Sequence, residues 1–130
     1  MTKSPKCSEL VGEKLDSTLE DIAIMWGAYV EGEVDEDLGD IWEYGLSFDF
    51  VEPDEPGEHG YWCWLLSWGG PSDEFRFYPG GRSGCYIEYW YKDWWDGAHR
   101  EVTGTGWDLM YEIWCTFEEL GMTNQEEEYA

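Results

Sequence analysis

Histidine is the side chain that most often transfers protons near neutral pH, and this chain has two, His59 and His99. His59 follows Glu58 in a stretch rich in Pro and Gly, and His99 precedes Arg100. Neither stands beside a candidate nucleophile. The chain also contains no GxSxG, HExxH, phosphate-binding-loop or dinucleotide-binding motif. We therefore predict that the protein is not an enzyme and uses no cofactor.

Three aspartates, Asp35, Asp37 and Asp40, have the close spacing found in calcium-binding loops. An EF-hand loop starting at Asp35 would require an acid or Asn at its fifth position, Gly at its sixth and Glu at its twelfth. The chain has Gly39, Asp40 and Leu46 there. The four cysteines are widely separated and form no CxxC pair, which argues against zinc. We therefore predict no bound metal.

Tryptophans beside carboxylates are typical of carbohydrate sites, because sugars stack on indole rings and paired carboxylates cleave glycosidic bonds. Trp90, Trp94 and Trp95 lie close in sequence to Asp93 and Asp96. The same tryptophans are also expected in the hydrophobic core of a chain so rich in aromatic residues. A carbohydrate-binding or glycoside-active domain is therefore an alternative prediction.

The strongest chemical signal is an excess of carboxylates. The chain has 30 Asp and Glu against 7 Lys and Arg, a formal net charge of -23. Residues 15–75 contain 17 acids and no Lys or Arg, and 12 of these acids fall within residues 31–58. Such a surface repels nucleic acid and anionic membranes and attracts basic proteins. Because self-repulsion destabilises the fold, the excess favours a functional charge over an adaptation to salt or solubility.

Proteins that grip nucleic acid present the largest basic surfaces. Duplex DNA carries one negative charge per about 1.7 Å of its axis, and a rigid array of carboxylates approximates that pattern. The predicted partner-binding residues are Glu31, Glu33, Asp35, Glu36, Asp37, Asp40, Glu43, Glu52, Asp54, Glu55 and Glu58, with Asp16, Glu20 and Asp21 from the preceding helix and help from Glu9 and Glu13. A generic acidic interaction module is the other alternative.

The composition indicates one domain that can hold these acids in place. The chain has 130 residues, of which 42% are hydrophobic and 18% aromatic, enough for a real core. Residues 1–7 and 122–130 are predicted to be loose tails. There is no apolar run of 18 residues and no signal-peptide pattern. The cysteines are predicted to be reduced, with a pairing of Cys63 and Cys85 left open.

Helical periodicity marks both ends of the chain. The first helix is predicted to begin near Asp16 or Ser17, where residues 17–20 have capping-box spacing, and to end at Gly32. A short helix or ordered loop is predicted over residues 33–43. The last helix is predicted from about Thr105 to a C-terminal glycine at Gly121.

Four strands are predicted between these helices. Residues 44–50 alternate between apolar and small or polar side chains, the pattern of a half-buried strand. Residues 61–68 are apolar on both faces, which predicts a central strand covered on both sides. Strands at 75–78 and 85–91 follow glycine-containing turns, and residues 92–106 are predicted to be irregular. The predicted fold is a single α+β domain: an N-terminal helix, a four-stranded antiparallel β-meander and a C-terminal helix.

Four segments of the chain are distinctive: YGLSFDFV at 44–51, LSWGGPSDEFRFY at 66–78, IEYW at 87–90 and DWWDGA at 93–98. They resemble a family of small acidic proteins carried by plasmids and phages, and the resemblance covers roughly residues 40–120. In the second segment, Arg76 is predicted to pair with neighbouring carboxylates of the sheet. The resemblance implies a mobile genetic element and transfers no catalytic residues. Small acidic proteins in that setting are often similar to antirestriction and anti-CRISPR inhibitors, some of which are DNA mimics.

These observations together predict a non-enzymatic inhibitor of a host defence system that acts as a DNA mimic in the cytoplasm of a bacterial host. The predicted partner is a basic nucleic-acid-binding protein, either a CRISPR effector or a restriction enzyme. No direct contact with nucleic acid or membrane is expected. The sequence does not indicate an oligomeric state.

Overall fold

The computed structural model describes residues 6–53, 55, 60–69, 71–79, 85–93 and 96–123. The helices are α1 (Cys7–Val30), α2 (Ile41–Tyr44) and α3 (Gly104–Glu119), and the strands are β1 (Ser47–Val51), β2 (Tyr61–Ser67), β3 (Pro71–Pro79), β4 (Cys85–Asp93) and β5 (Asp96–Glu101). The strands form one antiparallel sheet in the order β1-β2-β3-β4-β5. The predicted α+β architecture is therefore confirmed, with five strands in the meander rather than four.

The additional strand, β5, lies within residues 92–106, which the sequence predicts to be irregular. Its only apolar side chain is the half-buried Ala98, so it has no alternating apolar pattern. It forms a strand because its backbone pairs with that of β4, from the pair Asp93–Asp96 to the pair Glu88–Glu101, and because α1 packs against it. Contacts with neighbouring elements, rather than the pattern of its own residues, therefore explain why this segment is a strand.

Helix α1 begins at Cys7, about ten residues before the start predicted at residues 16–17. The Glu9 carboxylate accepts the Lys6 N–H at 3.2 Å, and the Asp96 carboxylate of β5 accepts the Cys7 N–H at 2.7 Å. Asp96 is 89 residues away along the chain, so no local pattern reveals this cap. The predicted N-terminal tail, residues 1–7, therefore includes the first residue of α1, and residues 1–5 lie outside the described residues. Among the helices described, α1 included, none is both long and apolar enough to cross a membrane.

The core lies on one face of the sheet. Along β2, Trp62, Trp64 and Leu66 are buried, whereas the residues between them are only half-buried. The prediction that this strand is covered on both sides is therefore wrong. Cys63 and Leu65 lie on the other face, on which no described helix packs and where side chains of the neighbouring strands give only partial cover.

Helices α1 and α3 both pack on the Trp62 face. Phe117 of α3 stacks on Phe48 of β1 with ring centroids 4.0 Å apart, and Trp26 of α1 donates its indole N–H to Glu112 of α3 at 3.1 Å. We call the opposite side of the sheet the open face, because no described helix covers it. Strand register places on it Cys63, Arg76, Glu88 and Glu101 in one row and Leu65, Glu74, Trp90 and His99 in the next.

The four cysteines are free thiols, with Cys7 and Cys85 buried and Cys63 and Cys115 half-buried. The open alternative of a bond between Cys63 and Cys85 is therefore not realised. Burial raises the pKa of the Cys63 and Cys85 thiols to about 12. Both stay protonated at neutral pH, and a protonated thiol is a poor nucleophile.

Candidate partner-binding surface

Helix α1 ends in a Schellman motif that begins the acidic segment. Gly32 has a φ of 78°, and its N–H donates to the Tyr29 carbonyl at 3.0 Å. The Glu33 N–H donates to the Ala28 carbonyl at 2.8 Å. Glycine adopts this left-handed conformation without steric cost. The motif fixes the direction in which the chain leaves the helix, and with it the positions of Glu31 and Glu33.

The following acids build the turn that leads into α2. The Asp35 carboxylate accepts the N–H groups of Asp37 and Leu38 at 3.1 and 2.8 Å. The Asp40 carboxylate accepts the Trp42 N–H at 3.0 Å and caps α2. Asp35 and Asp40 are half-buried and serve the backbone. Two of the predicted partner-binding acids are thus structural, and they hold the others in place.

The remaining acids of this stretch project into solvent. They are Glu31, Glu33, Glu36, Asp37 and Glu43, all exposed. Within the part of the chain that the structure describes, none of their carboxylates forms an ion pair or accepts a hydrogen bond. A backbone fixed by hydrogen bonds therefore presents carboxylates that are free to meet a partner.

The C-terminal ends of α1 and α3 converge at this site. Trp42 of α2 lies edge-on to Trp26 of α1 and to Phe117 of α3, with ring centroids 6.2 and 5.5 Å away. Neither helix has a basic residue in its last turn, so the partial negative charges of both helix ends are uncompensated. The exposed Glu118 and Glu119 add to them. We call the exposed acids of this segment the acidic pole: Glu31, Glu33, Glu36, Asp37 and Glu43.

Sequence reasoning missed the contribution of Glu118 and Glu119. Their position relative to residues 31–43 depends on the direction of α3 across the sheet, and no local pattern carries that information. The only sequence signal was negative: the last turn of each long helix lacks the Lys or Arg that usually stabilises a helix C-terminus.

The predicted acids of α1 flank this pole to different degrees. Asp21 is half-buried. The pKa of Tyr44 is raised to about 12, first by the burial of Tyr44 and next by the negative charge of Asp21. Asp21 therefore lies near the end of α2. Asp16 and Glu20 are exposed, and they precede Val30 by 14 and 10 residues. At about 1.5 Å of rise per residue they lie about 20 and 15 Å back along the helix.

The acids that follow β1 form a separate group. Glu52 and Glu55 are exposed, and β1, with its 5 residues, lies between them and the acidic pole. A strand of that length spans about 17 Å. Asp54, Glu58 and His59 lie outside the described residues. The single array predicted over residues 31–58 is thus divided into two groups, of which the acidic pole is the larger among the described residues.

The open face carries carboxylates of a different kind. Arg76 lies between the rings of Tyr61 and Trp90, with its guanidinium carbon 4.5 and 3.9 Å from their centroids. Its Nε contacts the Glu74 carboxylate at 2.7 Å, and the Lys92 ammonium contacts the same carboxylate at 3.3 Å. Burial alone would raise the pKa of Glu74, but the hydrogen bond and charge of Arg76, with smaller contributions from Lys92 and Cys63, lower it below its ordinary value. The predicted pairing of Arg76 is confirmed.

Glu88, in the neighbouring row of the open face, is also saturated. Its carboxylate accepts hydrogen bonds from the Tyr78 hydroxyl at 3.1 Å, the Tyr86 hydroxyl at 3.2 Å and the Trp90 indole N–H at 2.9 Å. His99 Nε2 lies 3.7 Å from it. Glu74 and Glu88 are both buried. These contacts form a network on this side of the sheet, so both carboxylates are already engaged within the fold.

The alternative of a carbohydrate site finds no free platform at Trp90. The His99 ring from β5 stacks on Trp90 at 4.3 Å, and the Arg76 guanidinium from β3 approaches it at 3.9 Å. The neighbouring strands on both sides therefore occupy this indole. The Asp96 carboxylate caps α1, and Trp94 and Trp95 lie outside the described residues.

The acids that suggested calcium have other roles. Asp35 and Asp40 bind backbone N–H groups, and the described residues contain no group of three or more His, Cys, Asp or Glu placed to hold a metal ion. The chain matches no protein-family model, no curated protein and no solved structure. The acidic pole is therefore the feature on which a proposed function rests.

Proposed function

We propose that the protein is a non-enzymatic inhibitor that binds, through its acidic pole, the nucleic-acid-binding surface of a basic protein. One observation carries the proposal: exposed carboxylates, unpaired among the described residues, stand on a hydrogen-bonded backbone where two helix C-termini converge. A solvated surface without a function gains nothing from this arrangement, because each added acid at a helix C-terminus costs about 0.3–1 kcal/mol.

Rigidity is what makes such a surface suitable for DNA mimicry. A disordered acidic tail must be ordered when it binds, and that cost is subtracted from its affinity. The turn built by Asp35 and the cap formed by Asp40 order the acidic pole before any partner arrives. The fixed carboxylates then occupy Lys and Arg side chains that would otherwise contact phosphates spaced about 1.7 Å apart along the duplex axis.

The class of partner follows from charge and from the resemblance to plasmid and phage proteins. A basic groove that grips nucleic acid is the surface that best complements the acidic pole. In a bacterial host that acquires mobile elements, CRISPR effectors and restriction enzymes are the basic proteins whose inhibition benefits the element. We propose a protein of that kind as the partner.

The test has two steps. The immobilised protein is used to recover partners from a bacterial host lysate, and the partner's binding to duplex DNA is then titrated with the purified protein. A DNA mimic displaces the DNA, and inhibition saturates near one inhibitor per site. Simultaneous binding of DNA and protein to the partner contradicts mimicry and supports a generic acidic interaction module. Inactivation by trace amounts that increases with time contradicts a non-enzymatic mechanism.

A further inference from the structure

An apolar groove lies beside the acidic pole. It has a volume of about 280 Å³ and is lined mainly by Trp42, Leu46, Phe48, Phe117, Leu120 and Met122. Leu46 is 61% and Leu120 57% exposed, and both border this concave surface. Exposed apolar surface in a concavity with a polar rim is typical of an interaction site.

Two local features of the backbone build this groove. The first is the end of α3, where the Gly121 N–H donates to the Glu118 carbonyl and the Met122 N–H to the Phe117 carbonyl, each at 3.0 Å. This Schellman motif, with Gly121 at a φ of 77°, turns the chain back so that Met122 lies over Phe117. The predicted C-terminal glycine of this helix is thereby confirmed.

The second feature is the close approach of Gly45 to Trp64. A β-carbon at position 45 would lie 2.1 Å from the Trp64 indole nitrogen. Only glycine permits the chain to pass here, and the next residue, Leu46, then stands at the border of the groove. Gly45 therefore fixes the path of the backbone that brings Leu46 to the groove.

The rim of the groove is acidic. Glu43 follows Trp42 in α2, and Glu118 and Glu119 precede Leu120 at the end of α3, all three exposed. Exposed acids are therefore chain neighbours of the lining residues Trp42 and Leu120, in both of the segments that border the groove. This charge disfavours a second copy of the same chain, whose net charge is -23.

We infer that the groove receives an apolar side chain of the basic partner, from a segment in which Lys or Arg residues flank that side chain. This inference rests on the proposed function, since it assigns the groove and the acidic pole to the same partner. The two surfaces act differently. The carboxylates attract the partner over distance and are screened by salt, whereas burial of an apolar side chain is not screened.

The experiment uses two synthetic helical peptides as probes. The first has Leu at one face, in i, i+3, i+4 spacing, and Lys elsewhere, and the second has Ala in place of every Leu. Both should bind at low salt. At about 1 M salt, where the screening length is about 3 Å, we expect only the leucine peptide to retain measurable affinity.

Variants assign that affinity to the groove. The double variant Leu46→Ser with Leu120→Ser should weaken binding of the leucine peptide roughly tenfold or more and leave the affinity for the alanine peptide unchanged. The matched control, Ile24→Ser with Val30→Ser, removes two equally exposed apolar side chains of α1 and should change neither. As a second measurement, the Met122 methyl resonance should shift with the leucine peptide and not with the alanine peptide.

Failure of the inference and failure of the proposed function give different results. If both peptides bind equally at low salt and neither does at high salt, the groove has no role and electrostatic binding by the acidic pole stands. If neither peptide binds at low salt, both proposals fail. If the control variant weakens the leucine peptide as much as the groove variant does, the binding is not at the groove.

Discussion

Two sets of carboxylates in this molecule have opposite surroundings. On the open face, Glu74 and Glu88 are buried and accept hydrogen bonds from Arg, Tyr and Trp side chains. At the acidic pole, Glu33, Glu36 and Asp37 are exposed and have no partner within the described residues. The comparison teaches that the sign of the charge does not define a binding site. A carboxylate is available to a partner only where its own fold does not already engage it.

The largest effect is expected on the open face. Arg76→Ala should lower the free energy of unfolding by about 3 kcal/mol, because it leaves the buried Glu74 with only Lys92 as a counter-ion. Lys14→Ala, which removes a more distant cation 5.9 Å from the Tyr91 ring, is the control and should cost less than about 1 kcal/mol. Urea unfolding followed by Trp fluorescence measures both. Equal losses would show that the Arg76 network does not stabilise the fold.

At the acidic pole the effect should appear in binding rather than in stability. A triple variant with Glu33→Lys, Glu36→Lys and Asp37→Lys should bind the partner, or the lysine peptides, about a hundredfold more weakly, since like charges across an interface cost several kcal/mol. Asp35 and Asp40 are kept because their carboxylates hold the backbone.

The control for this triple variant reverses three exposed acids elsewhere: Asp49, Glu101 and Asp108. It changes the net charge equally, so it corrects for long-range attraction. Its binding should fall much less than that of the first variant. If both variants lose affinity equally, binding depends on net charge alone and the acidic pole is not a defined site.

The loss of folding stability at low pH should depend in part on Glu74. Arg76 holds the pKa of Glu74 below its ordinary value against the effect of burial. A carboxyl with a lowered folded pKa contributes stability above its unfolded pKa, about 4.3, and the contribution is lost as pH falls through the folded value. The stability difference between the wild type and Glu74→Gln should therefore be largest near neutral pH and shrink below about pH 4. Urea midpoints across this range test it, and a constant difference contradicts it.

The smallest effect separates two acids that look alike in the sequence. Asp40→Ala should cost about 1 kcal/mol of stability, because Asp40 caps α2, whereas Asp37→Ala should cost nothing measurable. For binding the order should reverse, provided that Asp40→Ala remains folded. Thermal unfolding and peptide titration of the two single variants measure this. Equal stability of the two variants would contradict the assigned role of Asp40.

The sequence predicts most where the pattern is local. The last helix starts at Gly104, one residue from its predicted start, and Gly121 ends it, because apolar periodicity and a C-terminal glycine are both written in adjacent residues. The start of α1 depends on Asp96 and the existence of β5 depends on β4, so neither could be predicted from nearby residues.

The same distinction applies to the candidate site. The excess of acids in residues 31–43 is visible in the sequence, but which carboxylates are free is not. Asp35 and Asp40 are engaged because of a turn geometry, and Glu52 and Glu55 are separated from the acidic pole by β1. The groove combines residues 42–48 with residues 117–122, and only the folded chain brings these together.

The Schellman motif at the end of α3 has a practical consequence for anyone who handles this protein. The chain leaves Met122 directly at the groove, so a purification tag or fluorescent fusion attached after α3 would crowd the surface under test. Helix α1, with 24 residues and a length of about 36 Å, carries Cys7 at the end away from the acidic pole. A fusion that precedes α1 is therefore the design in which a negative binding result can be interpreted.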